Sequence, residues 1–102
     1  MGSRDKYDKI FEVAKSGGRH AGTYRQAMSK SLAQLDKSIR SHEKQVIEHR
    51  DKINNPEKYA PDWCIMEINE QEGLVRRWEK DLEKNQDEAE IEKRVRKERN
   101  LE

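Results

Sequence analysis

Apolar residues recur along this chain at helical spacing, with no run that reads as a strand. Tyr7, Ile10, Phe11 and Ala14 fall at i, i+3, i+4 and i+7, which predicts a short helix over residues 5–15 with one apolar face. Gly17 and Gly18 follow, as glycines do just past a helix C-terminus. Met28, Leu32, Leu35, Ile39, His42, Val46, His49 and Ile53 then alternate in steps of four and three. They predict a long helix over residues 24–54 whose seam wants another helix. Asn54-Asn55-Pro56 stops it, because proline cannot continue the hydrogen-bond ladder.

Residues 55–68 read as a connector, and Tyr59, Trp63, Ile65 and Ile68 are expected to fold back as a plug. A third helix is predicted from about 69 to 98. Asn69-x-x-Glu72 has the capping-box pattern, and Leu74, Val75, Trp78, Leu82, Ala89, Ile91 and Val95 mark its inner side. Asn85 and Gln86 interrupt that stripe. Glu72–Arg76, Glu90–Arg94 and Glu92–Arg96 stand four apart, as helix-supporting ion pairs do. The predicted fold class is all-α: a long antiparallel helical hairpin with a short N-terminal helix across one end.

With 102 residues, 31% hydrophobic and 42% charged, the chain suits one small domain of elongated helices with narrow seams. That domain is expected over residues 4–100. Met1-Gly2-Ser3 and Leu101-Glu102 read as cloning remnants. Met1-Gly2 suggests N-myristoylation, but Lys6 stands where that motif has Ser or Thr. No apolar run is long enough to cross a membrane, and no signal peptide is evident. Cys64 is the only cysteine, so no intrachain disulfide can form. Net charge is +1, but residues 1–58 carry 13 Lys/Arg against 8 Asp/Glu, whereas residues 59–102 carry 9 against 13. The first half therefore suits a polyanion, and the second suits water or a basic surface.

The richest chemistry lies in Lys15-Ser-Gly-Gly-Arg-His-Ala-Gly-Thr-Tyr-Arg-Gln26. Thr23-x-x-Gln26 reads as a capping box opening the long helix, so a cationic glycine loop feeds a helix N-terminus. Helix N-termini suit anions, and Lys15, Arg19 and Arg25 placed there would welcome a phosphate. A plain helix–helix connector is the simpler reading of the same residues. Histidine occurs at His20, His42 and His49 only. The last two stand seven apart on one helical face, about 10 Å along the axis, too far to share one metal ion directly. No metalloprotease, nucleotide-binding or serine-hydrolase motif appears. No metal and no organic cofactor is expected. The many acidic residues alternate with Lys and Arg and read as solvated helix faces.

Metal-free RNA cleavage fits what is present. It needs a base for the 2′-hydroxyl proton, an acid for the leaving oxygen and cations for the phosphorane-like transition state. Histidine titrates in the range for both proton roles. His20, Arg19, Tyr24 and His42 are the candidate catalytic residues, and Lys15, Gly18, Arg25 and His49 the candidate RNA- and phosphate-binding ones. A non-enzymatic helical interaction module, whose seam takes a partner helix, is the alternative. DNA cleavage lacks an evident metal site.

Three ordered runs carry a resemblance: Ser16-Gly-Gly-Arg-His-Ala-Gly-Thr-Tyr, Leu35-Asp-Lys-Ser-Ile-Arg-Ser-His-Glu-Lys-Gln-Val-Ile-Glu-His, and Lys52-Ile-Asn-Asn-Pro-Glu-Lys-Tyr-Ala-Pro-Asp-Trp. Over about residues 15–80 the chain resembles C-terminal toxin modules of bacterial polymorphic toxins, of the contact-dependent inhibition and Rhs types. The resemblance implies a delivered or secreted effector acting in the target-cell cytoplasm, often a nuclease against tRNA, with a cognate immunity protein as partner. The family pattern Gly-Gly-basic-His-x-Gly falls on Gly17, Gly18, Arg19, His20 and Gly22. Pro56, Glu57, Lys58, Tyr59, Pro61 and Trp63 match the second stretch, where a structural role is implied, and Cys64-Ile65-Met66 departs from it. The excess of cations in residues 1–58 calls for an acidic surface on the immunity partner.

Overall fold

The computed structural model describes the backbone of residues 2–101 and the side chains of residues 6–100; the rest of the terminal stretches read as cloning remnants lies outside that range. The described residues form α1 (Gly2–Lys15), α2 (Ala21–Ser29), α3 (Leu32–Asn54), the one-turn α4 (Pro56–Tyr59), a 3-10 turn (Trp63–Ile65) and α5 (Ile68–Leu101), with no strand among them. The fold is all-α. α3 and α5 form the antiparallel hairpin, since Asp36 pairs with Arg96, His42 with Glu92 and His49 with Asp81. α1 and α2 pack on the C-terminal half of α5. The molecule measures 55 × 26 × 24 Å, and its long dimension matches the roughly 50 Å of a 34-residue helix.

The core lies where four helices meet. Phe11 and Ala14 of α1, Ala27 of α2, Leu35 and Ile39 of α3, and Ile91 and Val95 of α5 are buried together, with Ile10 and Tyr24 against them. Each fully buried large side chain contributes about 1.5–3 kcal/mol relative to exposure. The other end of the hairpin is thinner. There Trp63 stacks on the buried Trp78 at 6.4 Å, and Gln71 Nε2 donates to the Trp63 carbonyl. Trp63 alone acts as the expected plug: Tyr59, Ile65 and Ile68 are exposed.

The long helix expected over 24–54 is two helices. Lys30 and Ser31 are extended, with ψ of 151° and 159°, and Ser31 and Gln34 form a reciprocal capping box that restarts the chain as α3. The last carbonyls of α2 are satisfied from outside, by Arg99 Nη1 donating to the carbonyls of Ala27 and Lys30. The break lets α2 turn across α5, and it leaves Met28, expected in the seam, 46% exposed. Of the three expected ion pairs only Glu72–Arg76 forms within α5. Arg94 and Arg96 instead reach Asp8 of α1 and Asp36 of α3, tying neighbouring helices together. The capping box expected at Asn69 is replaced by a start at Ile68, where the Gln71 N–H bonds the Glu67 carbonyl.

Candidate functional site

The glycine loop is built by the end of α1. Gly17 has φ 99°, and the N–H groups of Gly17 and Gly18 bond the carbonyls of Ala14 and Val13, closing a Schellman turn. A Cβ on Gly18 would lie 2.7 Å from Val13 Cγ1. The loop is therefore held tightly against α1. It delivers His20 in a left-handed conformation, φ 69°, the one non-glycine described residue with positive φ. A β-carbon residue resists that region unless its surroundings impose it. His20 is also the N-cap of α2, its carbonyl accepting the first helical bond from Tyr24. Thr23, expected as the cap, lies inside the helix and donates its hydroxyl to Glu88 of α5 at 2.8 Å.

Although it sits in a glycine loop, the His20 side chain is only 9% exposed. Nε2 lies 3.5 Å from Oδ2 of Asp87, whose side chain is 4% exposed. Burial pushes the Asp87 carboxyl above its usual range, with the neighbouring His20 opposing the shift. His20 Nε2 and Asp87 Oδ1 are both buried without a hydrogen-bond partner. A cleft of about 460 Å³ opens beside them, lined by Arg19, His20, Lys80, Asp81, Glu83 and Lys84.

A second polar group lies between α2, α3 and α5. Glu92, 1% exposed, accepts from Ser38 Oγ and pairs with His42 Nδ1, both at 2.5 Å, and Lys30 Nζ stands 3.8 Å away. The hydrogen bond that His42 donates to Glu92 raises its pKa against the lowering effect of burial, with the charges of Glu92 and Glu88 adding to the rise. His49 donates Nδ1–H to the Gln45 carbonyl at 2.8 Å and sets Nε2 3.7 Å from Asp81. Ser38, His42, Gln45 and His49 thus form one stripe on α3. Asp81 and Glu92 answer it on α5, while Glu88 between them takes Thr23 of α2.

Of the candidate residues, the fold brings Arg19 and His20 to the cleft. Gly18 shapes the loop behind them. Tyr24 packs edge-on against Phe11 at 5.8 Å as part of the core. Lys15 lies over the Phe11 ring, and Arg25 is exposed on α2. His42 and His49 belong to the polar stripe rather than to the cleft lining. Asp87, Glu88 and Glu92 were read as solvated acids and are the largest correction: Asp87 and Glu92 are buried. Their signal was legible in part, since Glu92 stands three residues from both Ala89 and Val95 of the apolar stripe. Among the described residues no three His, Cys, Asp or Glu side chains converge as a metal site would require.

No protein-family model, no curated protein and no solved structure matches this chain.

Proposed function

We infer that this chain is the effector domain of a bacterial polymorphic toxin, a metal-independent ribonuclease neutralised by an immunity protein and acting in the target-cell cytoplasm. One observation carries the catalytic part. A histidine in a costly backbone conformation is pinned beside a buried carboxylate, at the wall of a cleft that Arg19, Lys80 and Lys84 also line. Buried carboxylates are expensive, and a perturbed one paired with histidine in a cleft is a recurrent mark of proton-transfer sites. The resemblance to toxin modules carries the biological part.

In this reading His20, oriented by Asp87, takes the proton of a 2′-hydroxyl. The freed oxygen bonds to the adjacent phosphorus as the bond from phosphorus to the 5′-oxygen breaks. The products are a 2′,3′-cyclic phosphate and a 5′-hydroxyl, the latter protonated by water in the open cleft, since His42, the expected second acid, is held in the polar stripe by Glu92. Cations at the cleft stabilise the charge on the phosphorane-like transition state. An acidic immunity surface covers Lys15, Arg19 and Arg25, and changing all three to Ala should weaken its binding.

A non-enzymatic interaction module remains the second reading, favoured by Ile65 and Ile68, 83% and 71% exposed at the hairpin tip. Incubating the purified chain with total tRNA in excess EDTA separates the two. The ribonuclease reading expects fragments ending in cyclic phosphate, and arrest of cells that express the chain without its partner. Intact RNA and unimpaired growth would refute it.

A further inference from the structure

The charge balance of the sequence assigned the polyanion to residues 1–58, yet the fold lays a cationic stripe of α5 beside the glycine loop. Gly73, Arg77, Lys80 and Lys84 stand at i, i+4, i+7 and i+11, one face of the helix. A shallow groove lined by Gly73, Arg76, Arg77, Lys80 and Asp81 shares Lys80 and Asp81 with the His20 cleft, so the two are continuous. A Cβ on Gly73 would meet nothing within 4 Å, leaving the far end open.

These cations differ from those further along the helix. Lys93, Arg94 and Arg96 are engaged by Glu43, Asp8 and Asp36. Arg77, Lys80 and Lys84 are exposed and make no ion pair among the described residues. Successive charges rise by about 4.5–6 Å along the axis, close to the length of one sugar–phosphate unit. Asp81 and Glu83 border the same path. Asp81 is half-buried and stands beside His49, which turns its charge toward α3; Glu83 is exposed and narrows the favourable strip to the Lys80–Lys84 side.

We propose that Arg77, Lys80 and Lys84 form a backbone track for single-stranded RNA, holding successive phosphates so that the next one in line lies at His20. This rests on the ribonuclease reading for its direction, but the track itself is a binding property. Single-stranded nucleic acid is held elsewhere by such basic grooves following the backbone, with strong salt dependence. From Arg77 to Lys84 the stripe spans about 10 Å of helix axis, room for two or three phosphates leading into the cleft, so the enzyme acts on unpaired segments such as tRNA loops.

The test is fluorescence anisotropy with a labelled eight-nucleotide RNA, in a His20→Ala background that keeps the RNA intact. One variant carries Arg77→Ala, Lys80→Ala and Lys84→Ala. A charge-matched control carries Lys37→Ala, Arg40→Ala and Lys44→Ala, all exposed on α3. The track variant should bind at least about tenfold more weakly at low salt, and its slope of log affinity against log salt should fall by about 2. The control should match the parent, and both should melt as the parent does. Restoring Lys80 and Lys84 as Arg should recover most of the affinity. Equal binding by the track variant overturns the proposal, as does equal weakening in both triples. A single-stranded DNA of the same sequence binding more than tenfold tighter than the RNA overturns the substrate class. Absent cleavage by the wild type with the binding pattern intact refutes the ribonuclease alone; cleavage with an unaffected track variant refutes the track alone.

Discussion

Replacing Glu92 with Gln should expose how much of this small fold depends on one buried carboxylate. Glu92 is 1% exposed and holds Ser38, His42 and Lys30, so it joins α5 to α3 and to the break after α2. Gln keeps the volume and one acceptor but turns an amide NH2 toward Ser38 or His42, both of which donated to the carboxylate. Breaking a fully buried pair costs about 3–5 kcal/mol. Here the His42 and Lys30 side chains are 24% and 32% exposed and can regain water, so about 2 kcal/mol is the better expectation. In a domain of this size that lowers Tm by roughly 8–16 °C. The pH dependence is the sharper readout. The fold raises the His42 pKa, chiefly through the hydrogen bond to Glu92. Protonated His42 therefore stabilises the native state, fully below its unfolded value near 6.5, and that contribution fades as pH rises through the higher folded value. Thermal melts followed by circular dichroism from pH 5 to 9 should show the wild type losing stability across this range. The Glu92→Gln protein should lack that component. Parallel pH profiles, or a variant as stable as wild type at pH 6, would refute the reasoning.

Leu35→Ala, at a fully buried position in the four-helix core, should cost about 2–5 kcal/mol in chemical denaturation. The glycines of the loop should separate by conformation. Gly17→Ala, at φ 99°, should destabilise by about 1 kcal/mol, whereas Gly22→Ala, helical with open space around its Cβ, should stabilise by up to about 1 kcal/mol; melts of the two variants check this. Asp87→Asn removes a charge that burial disfavours, so at pH 7 Tm should equal or exceed the wild type's while RNA cleavage falls sharply.

The hairpin was legible because its seam is periodic: Leu35, Ile39, Val46, Trp78, Ile91 and Val95 were read as inward and are buried. The break at Lys30 was hidden because Met28 and Leu32 keep the step of four across it. The signal that competes is local, Ser31-x-x-Gln34, the same pattern that was credited at Thr23 and Asn69. Sequence spacing does not say which of three similar boxes caps a helix; here the partners decide, since Thr23 has Glu88 to bond and Ser31 has only its own helix end. The glycine loop is legible from its glycines, but the burial of its histidine is not, because the carboxylate partner lies 67 residues away. Long-range polar pairs carry no periodicity of their own. For the same reason the charge balance of the two halves does not show which cations share a surface, since only the antiparallel return brings Lys80 and Lys84 beside Arg19.

The central claim is that His20 transfers a proton in RNA cleavage, and the direct measurement compares wild type with His20→Ala on purified tRNA in EDTA, with melts run on the same samples. A lost general acid–base group typically costs about 10²–10⁴ in rate. The account predicts a loss of that size in a protein that still melts cooperatively and keeps its helical spectrum. Cleavage at the wild-type rate by folded His20→Ala protein would contradict it.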